Sequence, residues 1–469
     1  MLLRLLLLCD NADMKLQSTN PSQGYAIIGE VNISSTEEIA AKAAQAHKSK
    51  KAWQDLGIAG RVELLRKVGK RFEENAERMI ALEAEEMGMP IKDTRADFAW
   101  TLDFWNSYLD QAEAALSPTV TYEDDHERHE LHRVPRGVVG CIVPWNFPFA
   151  NFVWQCGQNL VSGNVVVFKH SEETPLCGKW IEEMLTAELP AGVFSEIYGD
   201  AEVGKSLVDA DVDLICFTGS SKAGSYISEH AGARLIPTCM ELGGSAPGII
   251  FEDANVPAII GDVYLYRFMN SGQACDGLKR LIVHKNKYDE VVAALIDLIK
   301  TKKVGDASDE TTDLGPLVAK RQLDLLENQV ADAVSKGAQV LAGGKRPEGL
   351  DGAYYEPTLL ANITPDMRVW QEEVFGPVLP IVTFETEEDA IRMANDTKYG
   401  LGGYIFTSDA ARFKRVAMQL ETCMVSHNGM IYIRPENFFG GMKQSGSGRE
   451  HGLEGFHEVT VSKQIAIQK

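Results

Sequence analysis

The stretch Asn270–Asp276, with the sequence NSGQACD, places one cysteine behind a glycine and a carboxamide in an otherwise apolar region. A small substrate could reach the thiol of Cys275 there, and an ionised cysteine is a strong nucleophile. The alternative is a structural cysteine, because free cysteine is among the most buried residue types. Taken alone, the heptapeptide favours the structural interpretation.

Other polar side chains lie in loops beside predicted strands. Asn146 stands in Pro144–Pro148, where two prolines restrict the backbone and the carboxamide could donate to a developing oxyanion. Glu241 lies between an apolar strand and two glycines. Glu373 and Phe375 belong to a further short loop. Each of these residues could equally be part of an ordinary loop.

A glycine turn follows the predicted buried strand at 213–217 and opens a helix. Gly219, Ser220 and Gly224 lie in this turn, and helix N-termini attract phosphate through free N–H groups and the helix dipole. The spacing is GxxxxG and not GxGxxG, and the Lys-Ser/Thr pair of a P-loop is missing. A plain strand–turn–helix therefore stays open as the alternative.

Lys169 and Glu172 follow another predicted strand, at the position where α/β folds bind ribose. A glutamate there can accept from both ribose hydroxyls and would repel a 2′-phosphate. The pair therefore predicts NAD in preference to NADP, with NADP possible. A solvated loop is the alternative.

The elements that must position these residues alternate between strand and helix. After Gly137 the pattern predicts strands at 138–143, 164–169, 213–217 and 248–251, and helices near 148–161, 175–188 and 221–231. From residue 256 it predicts a helix to about 272, helices at 287–302 and 320–336, and strands at 280–284, 338–342, 378–384 and 402–407. Helices to about 53, at 60–87 and at 92–116 precede both sets. Such alternation indicates parallel strands joined by crossovers, hence two α/β domains.

The composition is that of a globular protein with more than one domain. The 469 residues are 45% hydrophobic and carry a formal net charge of −21, which disfavours nucleic acid as a partner. No apolar run reaches the roughly 18 residues of a membrane helix. The eight cysteines form no CxxC pair, which is typical of reduced thiols in the cytoplasm. Residues 1–13 are expected to be a disordered extension upstream of a natural start at Met14.

Three histidines, His126, His129 and His132, raise a zinc hypothesis. They do not form an HExxH motif, and the β-favouring residues before them argue against the helix that would bring them together. A solvated strand or hairpin is the prediction, with no metal site.

Seven motifs in order favour a reactive Cys275 over a structural one. The set PWNFP, KHSE, FTGSSKAG, ELGG, NSGQAC, EEVFGP and FGGMKQSGSGRE resembles the aldehyde dehydrogenase superfamily, from about residue 16 to the end. By this resemblance Cys275 matches the nucleophile and Glu241 the general base. Asn146 matches the side chain that forms the oxyanion hole with the backbone N–H of Cys275.

The resemblance also implies NAD as the cofactor. The residues that match the family's cofactor site or line the cofactor and the thiol are Trp145, Lys169, Glu172, Gly219, Ser220, Gly224, Leu242, Gly272, Glu373 and Phe375. The implied reaction is oxidation of an aldehyde to a carboxylic acid through a thiohemiacetal and a thioester. Two alternatives are a CoA-acylating dehydrogenase, against which Glu241 argues, and a non-catalytic protein of the same fold.

Two departures concern the thiol and the substrate. The family's PFGG is FFGG here, and Asp276 follows the nucleophile, where its charge should oppose ionisation unless it points away. Arg267 and Arg434 could bind a substrate carboxylate, in an arrangement similar to bacterial succinate-semialdehyde dehydrogenases. Tyr432 lies in the segment that varies among family members. Another small aliphatic aldehyde fits equally well.

The family fold implies an α/β protein with two Rossmann-like parallel-sheet domains and a small β oligomerisation element. The expected ranges are 14–117 and 134–242 for the NAD-binding domain, 243–430 for the catalytic domain, and 118–133 with 431–469 for the oligomerisation element. A strand is expected at His457–Val461. The resemblance further implies a cytoplasmic homodimer or homotetramer without a membrane partner.

Overall fold

The computed structural model of the chain describes residues 14–469. The extension expected at residues 1–13 lies outside the described residues. The helices are α1 (Thr36–Asp55), α2 (Gly57–Glu74), α3 (Ala76–Met87), α4 (Ile91–Leu116), α5 (Pro148–Ser162), α6 (Pro175–Thr186), α7 (Ala201–Asp209), α8 (Ser221–Ala233), α9 (Val256–Phe268), α10 (Tyr288–Ile299), α11 (Lys320–Ser335), α12 (Arg368–Gln371), α13 (Glu387–Asn395), α14 (Ala410–Ala417) and α15 (Gly452–Glu458).

Twenty strands accompany these helices in the described part. They are β1 (Lys15–Asn20), β2 (Ala26–Asn32), β3 (Thr119–Glu123), β4 (Glu127–Pro135), β5 (Val138–Ile142), β6 (Val165–Lys169), β7 (Phe194–Ile197), β8 (Leu214–Thr218), β9 (Thr238–Glu241), β10 (Ala246–Ile250), β11 (Leu278–His284), β12 (Gln339–Ala342), β13 (Thr358–Ala361), β14 (Val378–Phe384), β15 (Tyr399–Gly400), β16 (Tyr404–Phe406), β17 (Ser426–His427), β18 (Met442–Lys443), β19 (Gly446–Ser447) and β20 (Thr460–Gln468).

The first large sheet has the strand order β19-β9-β8-β5-β6-β7 and is parallel except for β19. Strands β5 and β6 are buried along their whole length, which explains why they appear as continuous apolar runs and not as alternating ones. The chain winds outward in one direction through β6 and β7 and returns on the other side of β5 through β8 and β9. The sheet therefore has a switch point between β5 and β8, where open α/β sheets bind ligands.

The second large sheet has the order β12-β13-β14-β11-β10-β16-β17 and is parallel except for β12. Each large sheet has its own apolar core, with helices packed on its faces. The predicted α/β class with parallel-sheet domains is therefore confirmed.

A small antiparallel sheet joins distant parts of the chain in the order β20-β4-β3, and β20 pairs with β4 along its full length. The strand predicted at His457–Val461 is wrong in position, because His457 and Glu458 belong to α15 and β20 begins only at Thr460. His129 and His132 pair with neighbouring glutamates on β4. Within residues 14–469, no three or more His, Cys, Asp or Glu side chains form a group that could hold a metal ion.

Two predicted helices have different ends. The helix predicted at 60–87 is wrong as a single element, because the amide of Asn75 donates to the carbonyl of Arg71 (2.8 Å) and the chain leaves the helix there. The helix predicted to reach 272 ends at Phe268, where a short 3₁₀ turn begins. No helix in the described range is both long and apolar enough to cross a membrane.

Candidate active site

A cleft of about 740 Å³ lies where the carboxyl ends of the first sheet meet the amino ends of the second. It is lined by most of the residues that the sequence singled out, namely Asn146, Glu241, Cys275, Trp145, Gly219, Ser220, Leu242, Glu373 and Phe375. The fold explains this meeting. Trp145 and Asn146 follow β5, while Gly219 and Ser220 follow β8, which places both pairs at the switch point.

The turn before Cys275 has an unusual backbone. Asn270 (φ 49°) and Ser271 (φ 52°) both adopt left-handed conformations, which cost non-glycine residues on the order of 1–3 kcal/mol each. Surrounding hydrogen bonds hold the turn. The Asn270 amide donates to the carbonyl of Asn146 (2.6 Å), and the Ser271 hydroxyl donates to that of Gly315 (2.7 Å). The side chain of Gln273 accepts from the N–H of Val318 (3.1 Å).

Gly272 is required by close packing and not by access to the thiol. Its φ is +78°, and a Cβ atom there would overlap the carbonyl oxygen of Gly376. Arg267 stabilises the same contact, because its guanidinium donates to the carbonyls of Val374 (3.1 Å) and Gly376. Arg267 is therefore buried against the backbone and does not line the cleft. Its position suits holding the Glu373–Phe375 loop and not contacting a substrate.

Cys275 is partly exposed in the cleft. Burial raises the pKa of its thiol, Asp276 raises it further, and Lys279 lowers it. The ammonium group of Lys279 donates to the carbonyls of Cys275 and Gly244, both at 3.0 Å, and pairs with the carboxylate of Glu373. The sequence reasoning missed Lys279, although a lysine and an arginine side by side in a buried strand were a usable signal.

Asp276 takes part in a small network of hydroxyl groups. The Tyr432 hydroxyl lies 3.1 Å from Asp276 Oδ2 and 2.8 Å from the Tyr404 hydroxyl, which itself lies 2.8 Å from the Asp276 carbonyl oxygen. Burial raises the pKa of the Asp276 carboxyl group, and the hydrogen bond from the Tyr432 hydroxyl lowers it.

Asn146 is buried and has one donor free for a ligand. Its amide donates to the carbonyl of Gln273 (3.0 Å), and its oxygen accepts from Asn151 (3.3 Å). An amide has two N–H donors, so the second can reach toward the thiol side of the cleft. The carboxamide is thereby fixed in orientation, as an oxyanion donor must be.

Glu241 is 2% exposed, and neither carboxylate oxygen has a hydrogen-bond partner. Its pKa is raised well above the usual value, first by burial and next by the carboxylate of Glu450. Burial also raises the pKa of Glu450, to about 8. Both acids line the cleft. Glu450 was quoted within the last motif, but the sequence showed no reason to single it out.

The residues at the switch point fit a dinucleotide. Ser220 caps α8 by accepting from the N–H of Ala223 (3.3 Å), and Gly224 allows α8 to pack on Leu242, whose side chain would overlap a Cβ there. The first turn of α8 therefore presents free N–H groups near the cleft, as phosphate binding requires. The rings of Trp145 and Phe375 pack edge to face at 5.6 Å.

The remaining predicted residues lie outside the lining of the cleft. The ammonium group of Lys169 donates to the carbonyl of His170 (3.1 Å), and burial lowers its pKa. Glu172 is partly exposed after β6, close enough to influence Lys169. Arg434 is exposed, and Tyr432 contacts the cleft only through Asp276.

A thiol, a carboxylate and a carboxamide beside a dinucleotide site define an oxidoreductase class, and the comparisons identify its family. A model of the aldehyde dehydrogenase family matches residues 9–465. The chain belongs to the aldehyde dehydrogenase family, which confirms the resemblance. It is an NAD(P)-dependent oxidoreductase that acts on aldehydes.

Three relatives show the extent of the similarity. The chain is 35% identical over 455 residues to the mitochondrial succinate-semialdehyde dehydrogenase of Oryza sativa subsp. japonica, covering 96% of this chain and 86% of the relative. It is 35% identical over 430 residues to the NADP(+) succinate-semialdehyde dehydrogenase of Deinococcus radiodurans, covering 91% and 90%. The crystal structure of PnpE in complex with nicotinamide adenine dinucleotide matches with a TM-score of 0.94 and 35% identity, covering 97% of this chain and 94% of that chain.

Replacing Asp276 by asparagine tests whether its charge opposes ionisation of the thiol. Asparagine is similar in size and carries no charge, so we expect the pKa of the Cys275 thiol to fall and labelling to move to lower pH. The pH dependence of iodoacetamide labelling, measured in a Cys423→Ser background, reports this pKa. An unchanged labelling profile would contradict this expectation and show that the Asp276 carboxylate does not influence the thiol.

Replacing Glu450 by glutamine should shift the acidic limb of the kcat profile to lower pH. The Glu450 charge helps to raise the pKa of Glu241, so its removal lets Glu241 lose its proton at a lower pH. Steady-state rates of NADH formation across pH measure the shift. Glu454→Gln, an exposed change in the neighbouring helix, is the matched control. An unchanged profile in Glu450→Gln would show that the two carboxylates are not coupled.

Proposed function

We propose that Cys275 is the nucleophile of this enzyme, that Glu241 is the general base, and that Asn146 with the backbone N–H of Cys275 forms the oxyanion hole. The observation that supports these roles is the meeting of all three side chains in one cleft beside Gly219 and Ser220. Their chemistry matches the reaction of the family, and no other thiol among the described residues lines the cleft.

The reaction begins at the thiol. The Cys275 thiolate attacks the aldehyde carbon, and the resulting oxyanion accepts from the amide of Asn146 and the N–H of Cys275. When bound, NAD(P) supplies the acceptor for the hydride that leaves this carbon. Cys275 then carries a thioester. Glu241 takes a proton from water, the water attacks the thioester, and the acid leaves with restoration of the thiolate.

Burial of Glu241 supports its role as a base. A carboxylate with its usual pKa is too weak a base to activate water near neutral pH, while a buried one holds a proton more strongly. Glu241 has this environment, with raised pKa and unpartnered oxygens that leave room for a water contact. Neither feature is needed by a CoA-acylating enzyme, in which a second thiol replaces water.

The cofactor contacts are proposed from the site residues, and the substrate is proposed from the curated relatives. Lys169 and Glu172 are proposed to hold the adenosine ribose, Gly219, Ser220 and Gly224 to face the pyrophosphate, and Glu373, Phe375 and Leu242 to position the nicotinamide side. Succinate semialdehyde is a candidate substrate, because curated relatives carry that name. Another small aldehyde is the second candidate.

The assembly is proposed to be a homodimer or a homotetramer built on the small sheet of β3, β4 and β20. Apolar side chains are exposed there, including Val120 (46%), Tyr122 (48%) and Val461 (42%), and a second copy would cover them. Light scattering measures the mass that distinguishes the two.

A cytoplasmic location is inferred from the described cysteines, all of which are free thiols.

Two substitutions separate the chemical steps. Cys275→Ala should abolish NADH formation from any aldehyde, because no covalent intermediate can form. Glu241→Gln should still release a rapid burst of about one NADH per active site, followed by turnover slowed by roughly 10²–10⁴-fold, because only hydrolysis needs the base. Stopped-flow absorbance of NADH measures both phases.

The outcomes distinguish the alternatives. Full activity in Cys275→Ala would exclude the proposed nucleophile. Absence of NADH from the wild-type protein with every aldehyde tested would favour a non-catalytic protein. Formation of NADH only after addition of CoA would favour the acylating dehydrogenase.

Glu172→Gln tests the preference between cofactors. Loss of its charge should raise kcat/KM for NADP relative to NAD, because a carboxylate at the ribose would repel the 2′-phosphate. Initial rates with each cofactor give the ratio. Glu173→Gln is the matched control, since this neighbouring carboxylate pairs with Arg321. A wild-type enzyme that uses both cofactors equally would contradict the assignment.

A further inference from the structure

The cleft beyond the thiol has aromatic walls. Trp100 and Trp154 pack edge to face with ring centroids 5.7 Å apart, and Trp154 lies 5.6 Å from Phe439. Tyr266 and Met269, on the segment that leads to Cys275, also line this end. Rings and a thioether favour an apolar substrate, because they bury its apolar surface and can pack edge to face with an aromatic ring of the substrate.

The charges that line the cleft are all negative. Asp93 and Asp97 lie with Trp100 on one face of α4, and Glu450 lies near Glu241. Among the described residues that line the cleft there is no arginine, lysine or histidine. Burial raises the pKa of Asp93 to about 6, although Lys92 and Lys302 lower it, and burial raises the pKa of Asp97 to about 7. A substrate carboxylate would find no counter-charge here.

Three nearby cationic side chains lie outside the lining of the cleft. Arg267 is 1% exposed and donates to the carbonyls of Val374 and Gly376. Lys279 is buried and pairs with Glu373. Arg434 is exposed outside the lining, although its neighbour Ile433 lies within it. None of these three side chains therefore offers a charge inside the cleft.

The cost of desolvating a carboxylate disfavours an anionic substrate in this cleft. A carboxylate placed among these rings would lose water without gaining a paired cation, which is costly. The net charge of −21 also repels anions on approach. An uncharged tail meets neither obstacle and gains from the removal of its apolar surface from water.

Resting on the proposed oxidation at Cys275, we propose that the preferred substrates are uncharged aldehydes with an apolar tail, in particular an aromatic ring, and that aldehydes bearing a carboxylate are poor substrates. The curated relatives are named for succinate semialdehyde, so this chain would differ from them in specificity while sharing their chemistry.

The test compares kcat/KM with NAD for benzaldehyde, hexanal, succinate semialdehyde and the cationic 4-aminobutanal. We expect succinate semialdehyde to be at least about tenfold worse than hexanal, which is of similar size, and benzaldehyde to be at least as good as hexanal. Succinate semialdehyde equal to or better than hexanal would overturn the inference and leave the proposed function intact. So would a preference for 4-aminobutanal, because the acids and not the rings would then select the substrate. No NADH from any of the four would instead overturn the proposed function.

Leu265→Arg adds the missing cation at a half-exposed position of the lining. It should raise kcat/KM for succinate semialdehyde relative to hexanal by about tenfold or more. Met418→Arg, at a site that is 86% exposed and outside the lining, is the matched control and should leave the ratio unchanged. A ratio in Leu265→Arg that equals the control would count against the inference.

Arg434→Ala gives an independent readout should Leu265→Arg fold poorly. We expect the ratio of kcat/KM for succinate semialdehyde to kcat/KM for hexanal to stay the same, because Arg434 does not reach the substrate. A selective loss of activity with succinate semialdehyde would show that Arg434 binds its carboxylate and would overturn the inference.

Discussion

The contact between the turn at Asn270–Gly272 and the carbonyl of Gly376 is the constraint on which the site depends. It joins the loop of Cys275 to the loop of Glu373 and Phe375, and only a glycine at 272 permits it. Hydrogen bonds from Arg267 close the same junction, and the Asn270 amide ties it to the carbonyl of Asn146. Two left-handed residues in a row are tolerated because so many neighbours determine their positions.

Electrostatics at the thiol follow from this packing. Lys279, buried behind the cleft, is shared among two carbonyls and Glu373, so one ammonium group orders both loops. Glu241, Glu450 and Asp276 are buried without paired cations, and each has a raised pKa. The site therefore combines a thiol with acids that hold their protons more strongly than exposed acids do, which suits proton transfer more than the binding of anions.

Much of the fold was predictable, and the misses have local causes. Buried parallel strands such as β5 and β6 are recognisable because both faces are apolar. The break at Asn75 was missed because periodicity continues through it. The position of β20 was missed because α15 and β20 lie next to each other in a segment with little amphipathic contrast. The strand pairing of β20 with β4 depends on residues more than three hundred positions apart.

The sequence by itself determined the reaction chemistry: a cysteine, a glutamate and an asparagine in motifs that belong to one family, with strands that must bring their loops together. Only the tertiary structure decided what surrounds them. Whether Arg267 faces a substrate or a backbone carbonyl depends on side-chain direction, which spacing along the chain cannot reveal. The same holds for the absence of cations from the described lining of the cleft, because its walls come from helices and loops far apart in the sequence.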